Sequence, residues 1–519
     1  MSTKSLLSKP LSFKTSLIFA VIGAGVLTIL FVVTDAFALT NTIIERSLNT
    51  GEQIRLALLF LGAYFGGAVY LAWRKPTFEN PKLYMIALLL LIAGVFIRVS
   101  VLDLPFFIWG DYPNQIIFQF SQDYTVYLGD WVAQMRPLSI RDALVTEIGD
   151  YNMPYLYLLT IISRLSMPDV YLIKWVSSVF DIAIAIAVME VVRHFAKKQS
   201  AWLAAIGVTL FYPITWLNSA YWAQCDVIFT FFVVLALLFA LKNRPLLSVA
   251  MAALGFSFKL QAVFFLPIYP LIAVLCIYAH HKKRSAVNRK LTVLSTAFPL
   301  ILKAAGVFVG VLFATLLPAL LAGRSLSSTL DIYINQANAR TAFLSLNASN
   351  FMAYFVPGVQ IFEGPGWVRQ VLIAVAFIFI GVMLTIGIWR WDKDKDNLAE
   401  RHRDLLTLSL LLPLGIVWLL PQMHDRYFYM ADIFAITYVV VNPHRNRVLS
   451  WAALCFVFIG SFAGYSHYFG FWWQDRFQVP LPLGATGILL AIVLVLFLWL
   501  HKGDCCRNNK KPVQKNRPA

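Results

Sequence analysis

Apolar residues fall in long runs separated by short polar gaps, and runs of roughly 18 or more are long enough to cross a bilayer as helices. They place spans at 15–39, 54–73 and 83–101, then at 169–192, 200–218, 225–241, 245–257 and 262–279. Further spans follow at 296–322, 367–389, 405–420, 427–441, 448–466 and 481–500, about fourteen in all. The expected architecture is an all-α polytopic membrane protein with both termini on one side. Its longest polar interruption, 109–154, follows the third span. It is expected to form a large loop bearing short amphipathic helices.

Composition agrees with the pattern: 59% of residues are hydrophobic and 13% charged, with a mean hydropathy of +0.71, against about 25% charged in soluble domains. No stretch outside the spans is long enough to bury a core of its own. The chain therefore divides into N-terminal transmembrane helices (1–82), a central membrane module (83–441), C-terminal transmembrane helices (442–501) and a basic tail (502–519). A net charge of +17 would suggest nucleic acid in a soluble protein. Here the basic residues sit in short clusters between apolar runs, which sets topology and favours anionic membrane lipid as a partner, with no nucleic acid.

The clusters Lys4/Lys9/Lys14, Arg74/Lys75/Lys82, Arg193/Lys197/Lys198, Lys242/Arg244, 282–290, 390–403, Arg445/Arg447 and the tail all fall on one face. That face carries about 30 of the 43 Lys and Arg and is expected to be cytoplasmic. The 109–154 loop then faces out of the cytoplasm. Residues 1–40 imitate a secretory signal as far as Ala36-Phe37-Ala38, but the apolar run is too long, so an uncleaved anchor is expected. Of Cys225, Cys276, Cys455, Cys505 and Cys506, Cys225 alone lies on the outer face, and no structural disulfide is expected. Cys505-Cys506 is a weak acylation motif in a tail expected to be disordered.

Four polar motifs fall at outward ends of spans: the 109–154 loop, Tyr221-Trp222-Ala223-Gln224-Cys225-Asp226, Phe258-Lys259-Leu260-Gln261, and Pro421-Gln422-Met423-His424-Asp425-Arg426-Tyr427-Phe428. Each alone is an ordinary loop or cap. Their convergence on one face suggests one site. Lys259 interrupts apolar sequence on the face that topology keeps poor in Lys, and a cation there needs an anion. With His424 and Arg426 it can form a phosphate cradle, Arg gripping oxygens bidentately. The bland alternative is that Lys259 snorkels to headgroups and Arg426 pairs with Asp425.

Three carboxylates in the long loop, Asp111, Asp123 and Asp150, can supply the base of a transfer reaction, and the Tyr and Trp around them suit stacking on sugars. Aromatics are also enriched at membrane interfaces without any ligand. No His/Cys cluster has zinc spacing and no cofactor motif is present; a divalent cation on the carboxylates stays open. The outer segment 323–367, with Asp331, Asn335, Gln336, Asn338 and Arg340, is a candidate acceptor-side wall, and Asn347-Ala348-Ser349 is a glycosylation sequon.

Ser121-Gln122-Asp123-Tyr124 with Trp131, Gly149-Asp150-Tyr151-Asn152-Met153-Pro154-Tyr155, Trp222-Ala223-Gln224-Cys225-Asp226, Ser257-Phe258-Lys259-Leu260-Gln261 and Met423-His424-Asp425-Arg426-Tyr427-Phe428 resemble the GT-C superfamily of integral-membrane glycosyltransferases. The bacterial relatives of protein O-mannosyltransferases and of lipid-linked-oligosaccharide glucosyltransferases are nearest. The resemblance covers roughly 83–441 and implies a GT-C-like catalytic module. It implies inverting transfer of a hexose from a polyprenyl-phosphate donor to an acceptor hydroxyl on a glycan, lipid or protein at the extracytoplasmic face. Asp123 best matches the family base, with Asp111 the alternative. Lys259, His424 and Arg426 match donor-phosphate positions; Tyr124, Asp150, Tyr151, Gln224, Asp226 and Gln261 fall near the sugar and acceptor. The chain departs from the pattern in its two extra spans before residue 83 and in reading His424-Asp425 where many relatives have His-Glu. A flippase or exporter of lipid-linked sugars is the alternative, but its ionisable residues and broken helices would sit at mid-membrane, often in repeated halves.

Overall fold

The computed structural model describes residues 12–41, 46–74, 78, 80–104, 106–109, 116–121, 123–281, 289–338, 343–346, 348, 350–354, 361–393 and 397–441, with scattered residues of 451–465. Asp111, Arg340, Asn347 and Ser349 of the sequon, the basic residues at 1–11, 282–288 and 442–450, the expected 481–500 span and the tail with Cys505 and Cys506 lie outside the described residues.

The N-terminal helices are α1 (Phe13–Val33), α2 (Thr50–Trp73) and α3 (Pro81–Ser100), with a two-residue hairpin of β1 (Thr40–Asn41) and β2 (Arg46–Ser47) between the first two. Local chemistry starts each helix. The Ser12 hydroxyl accepts from the Thr15 N–H, Asn49 and Glu52 form a reciprocal capping box, and Asn80 caps a helix that opens on Pro81. The first apolar run outlasts its helix. After Val33 the chain turns back through Asp35 (φ +49°), and Phe37 packs edge-on against Phe31 at 4.8 Å.

The long loop opens with a hairpin of β3 (Phe106–Trp109) and β4 (Ile116–Gln119). A π-helical turn Asp123–Leu128 then runs into α4 (Gly129–Met135), followed by α5 (Ile140–Val145) and α6 (Met153–Ile162). Beyond it come α7 (Asp169–Phe195), α8 (Gln199–Phe211), α9 (Pro213–Trp216), α10 (Asp226–Leu241) and α11 (Pro245–Phe258). A 3₁₀ stretch, Leu260–Ile268, leads to α12 (Tyr269–His281), α13 (Arg289–Ala322) and α14 (Leu326–Asn338). The last elements are β5 (Phe343–Leu346), β6 (Ile361–Glu363), α15 (Gly366–Lys393), α16 (Leu398–Leu419) and α17 (Tyr429–Val441).

Among the described residues seven helices are long and apolar enough to cross a membrane: α1, α2, α3, α7, α15 and α16, and the Phe298–Ala322 part of α13. The pair Gln199–Phe211 and Pro213–Tyr221, bent by 48°, is apolar enough when taken together and makes eight if it is one broken span and not a re-entrant loop. The chain is an integral membrane protein built of helices. The spans expected at 225–241, 245–257 and 427–441 are helices of 16, 14 and 13 residues, and that at 262–279 is broken by the 3₁₀ stretch. These short elements are largely buried by their neighbours, so their backbones are shielded from lipid.

Helices α7, α10, α16 and α17 form the core, while α13 and α15 expose Phe298, Val309, Phe313, Val371, Phe377 and Ile378, as lipid-facing helices do. Within the core, Arg98 Nε lies 2.7 Å from Asp181 Oδ2, both side chains being fully buried. Arg98 also donates to the Gly94 and Leu210 carbonyls, and the Ser219 hydroxyl donates to Asp181. This pair ties α3, α7 and the bent segment together, because a buried charge is tolerated where its partner and remaining donors are satisfied.

The two ends of the bundle differ in charge. At one end Glu190 pairs with Arg74 (3.4 Å), Arg193 (3.1 Å) and Lys242 (3.9 Å), gathering three of the basic clusters around one carboxylate. The other end of α10, about 24 Å away at 1.5 Å per residue, begins with Asp226 and the four polar motifs.

Candidate active site

Gly149 (φ +78°) makes the turn that brings the long loop back to the bundle, a conformation that favours glycine. A Cβ there would stand 2.8 Å from Trp131 Cδ2, and Trp131 packs edge-on against Tyr151 at 5.4 Å. Gly149→Ala is therefore expected to cost about 1–3 kcal/mol of stability through strain and overpacking, seen as a lower thermal midpoint in detergent. After the turn Asn152, fully buried, donates to the Phe256 carbonyl at 3.1 Å, and Gln336 donates to the Asp150 carbonyl and to Asn152 Oδ1.

The segment before α17 is fixed from the other side. Leu346 N–H donates to the Met423 carbonyl at 3.0 Å and Gln422 N–H to the Leu344 carbonyl at 3.3 Å, so β5 lies beside 422–424 and sets His424 in place. Ala223 (φ +66°) and Gln422 (φ +65°) are two of the four described non-glycine residues with positive φ. Each stands inside one of the polar motifs, and such strain collects where surrounding structure holds a functional geometry.

These segments enclose a cavity of ≈ 380 Å³, within the range of small-molecule sites. Asp123, Asp150, Tyr151, Lys259, Gln261, His424 and Arg426, all singled out in the sequence, line it. Asp123 Oδ2 accepts from Trp222 Nε1 at 2.7 Å and lies 3.5 Å from Arg426 Nη1. Lys259 Nζ lies 2.5 Å from Asp226 Oδ1 and 5.5 Å from the Tyr151 ring centre. Burial works against the Lys259 charge, but the Asp226 carboxylate, and then Tyr151, outweigh it and raise its pKa. Arg426 Nε is 3.8 Å from Asp226 Oδ2, and its guanidinium stands 5.8 Å over the Trp222 ring.

Three residues assigned to the sugar and acceptor stand elsewhere. Asp226 is 1% exposed and sits behind the cavity as the counter-ion of Lys259 and Arg426, with Asn218 Nδ2 donating to it at 2.9 Å. It opens α10, where the helix dipole also favours a carboxylate. Gln224 is likewise buried and accepts from the Tyr151 hydroxyl at 3.4 Å. Tyr124 turns to Asp169, donating to its Oδ1 at 3.3 Å. Of the expected acceptor wall, Gln336 reaches the cavity whereas Asp331, Asn335 and Asn338 are exposed residues of α14 that do not line it. The pairing of Arg426 with the Asp425 side chain, and Asp111 altogether, lie outside the described residues.

Three contributors were not picked out individually from the sequence. Trp222 orients Asp123. Gln422 and Arg369, from the first turn of α15, line the cavity. Arg369 makes no ion pair among the described residues, and its buried Nε has no hydrogen-bond partner. The reasoning that isolates Lys259, a cation at the motif-bearing end of an apolar run, applies equally to Gly366-Trp367-Val368-Arg369. Among the described residues no group of three or more His, Cys, Asp or Glu is placed to hold a metal ion.

The fold and site together define a polytopic helical membrane protein with a charge-paired polar cavity at one end of its bundle. Compared with known proteins, the chain matches no protein-family model and no curated protein.

Proposed function

We propose that the protein is a GT-C-type inverting glycosyltransferase that moves a hexose from a polyprenyl-phosphate donor to an acceptor hydroxyl on the extracytoplasmic side. In this proposal the Glu190 end of the bundle is cytoplasmic, as are both termini. The shorter helices and the C-terminal segment complete a topology of about fourteen spans. One observation carries the proposal: Asp123, Lys259, His424 and Arg426, from three distant segments, line one cavity at the end opposite the basic clusters.

The chemistry follows from these groups. The acceptor hydroxyl gives its proton to an Asp123 carboxylate oxygen as its own oxygen bonds to the anomeric carbon. The bond from that carbon to the phosphate oxygen breaks on the opposite face, and polyprenyl phosphate leaves with the electron pair. Attack from the far side inverts the centre. Cations aimed at the leaving phosphate stabilise the charge that grows on it. Asp123, Asp226, Lys259 and Arg426 sum to zero charge, so a donor phosphate entering beside Arg426 competes with Asp123 for that guanidinium. Arg369, which makes no ion pair among the described residues, adds a positive charge to the wall.

Arg369→Gln is therefore expected to raise the donor KM about tenfold, since a hydrogen bond to a charged group contributes about 1.5–3 kcal/mol, with a smaller change in kcat. The test of the whole proposal is release of free polyprenyl phosphate from a polyprenyl-phosphate hexose by the purified protein. Release with transfer to an acceptor supports an enzyme. Movement of intact donor across a proteoliposome membrane without cleavage would make the protein a flippase instead.

A further inference from the structure

Helix α14 presents three different faces. Thr329, Ile332, Tyr333 and Gln336 turn to the protein: Thr329 and Ile332 are buried, the Tyr333 ring stacks on Phe256 at 5.3 Å, and Gln336 donates to Asn152 Oδ1 at 3.0 Å. Ser327, Asp331, Asn335 and Asn338 form an exposed polar stripe at helical spacing. Beside it runs an exposed apolar stripe, Leu326, Leu330 and Ile334, with 48%, 38% and 56% of their surfaces open. A helix standing clear of the membrane would leave this stripe in water, and one crossing the hydrocarbon would carry Asp331 and Asn335 into it. Both stripes are satisfied when the helix axis lies near the membrane plane.

The corner between α13 and α14 starts the helix close to the end of a span. Leu317 and Leu321, in the last turns of the lipid-facing α13, are exposed in the same way. That helix then stops sharply: Arg324 N–H donates to the Ala319 carbonyl and Gly323 N–H to the Leu320 carbonyl, with Gly323 at φ +115°, the pattern of a glycine-ended helix. The Ser325 hydroxyl caps the next helix, accepting from Ser328 N–H at 3.0 Å. Arg141 Nε holds the corner to the long loop, donating to the Ala322 carbonyl at 2.9 Å, as does Arg324 Nη1, donating to the Thr146 carbonyl at 3.3 Å. We infer that Leu326, Leu330 and Ile334 seat α14 in the acyl-chain boundary of the leaflet at the cavity end. The inward side of the helix carries Gln336 and Ala337 to the cavity, so the bilayer itself holds one wall of the site. The inference is independent of the reaction proposed for that site.

The experiment photolabels the full-length wild type in phosphatidylcholine proteoliposomes, once with a phosphatidylcholine carrying a diazirine on an acyl chain and once with a water-soluble diazirine. Trypsin cuts after Arg324 and Arg340 and releases 325–340 for sequencing by mass spectrometry. Acyl-chain label is expected on Leu326, Leu330 and Ile334 at about tenfold or more its level on Ser327, Asp331 and Asn335, with the aqueous label reversed. Phe377, exposed on the α15 span, is the internal standard for lipid contact. Acyl label on Phe377 but not on the apolar stripe, or spread evenly over both stripes, overturns the inference. So does protection of the apolar stripe from both reagents, which would mean that a second copy or another protein covers it. The hold on the wall is read separately. In Ile334→Asp, backbone hydrogen exchange across 326–338 in proteoliposomes is expected to speed up about tenfold, whereas Asn335→Asp on the water-facing stripe leaves it as in the wild type. Wild-type exchange in Ile334→Asp would show that the protein alone holds the helix and would overturn the role given to the bilayer.

Discussion

Asparagine in place of Asp123 is expected to lower the rate of sugar transfer by about 10²–10⁴-fold, the usual contribution of a general base, with expression and thermal midpoint nearly unchanged. The substitution preserves size and leaves an oxygen to accept from Trp222 Nε1, now 2.7 Å from the carboxylate. What it removes, in the proposed reaction, is the capacity to take a proton from the acceptor, together with the charge that faces Arg426. Initial rates of polyprenyl phosphate release at saturating donor test the chemical step, and the donor KM in the same assay reports whether the cavity is still formed. A fall in kcat with donor KM held or lowered is the expected pattern, because Asp123 no longer competes with the phosphate for Arg426. A full rate in the variant would eliminate Asp123 and move the base to Asp111.

Much of this site could be read from the sequence, for a definite reason. A cation or carboxylate at the end of an apolar run stands out against its surroundings, which is why Asp123, Lys259 and Arg426 were visible and do share a cavity. The direction in which each side chain points was not visible. Asp226 and Tyr124 sit in motifs as polar as any other, yet one faces inward to Lys259 and the other faces Asp169. Whether a carboxylate meets a ligand or a lysine depends on the rotation of its helix and on what the next helix presents, and neither has a local signature.

The fold shows the same division. Runs long enough to cross a bilayer mark themselves, and the helices at Thr50–Trp73, Pro81–Ser100 and Asp169–Phe195 lie close to the expected spans. The breaks are less legible. Pro213 sits inside a run that reads as continuous, and the bend there delivers Asn218, Trp222 and Gln224 to the site. The hairpins of the loops carry no hydrophobic periodicity strong enough to separate them from irregular chain. The pairing of Leu344–Leu346 with Gln422–His424 joins residues almost 80 positions apart, beyond any local pattern.

Lys259→Met separates two roles that one residue fills. Its ammonium is the close partner of a carboxylate that is 1% exposed, so the single variant leaves Asp226, among the described residues, with Asn218 and the more distant Arg426. Breaking a buried pair from one side typically costs about 3–5 kcal/mol, and the thermal midpoint is expected to fall accordingly. Lys259→Met with Asp226→Asn removes both charges together and is expected to recover most of that loss. Transfer should not recover with it. Lys259 also lines the cavity, so under the proposed function its absence removes a cation from the donor phosphate in both variants, and the donor KM is expected to stay raised in the double variant. Stability and donor affinity returning together would reduce Lys259 to the counter-ion of Asp226 and leave phosphate binding to Arg369 and Arg426.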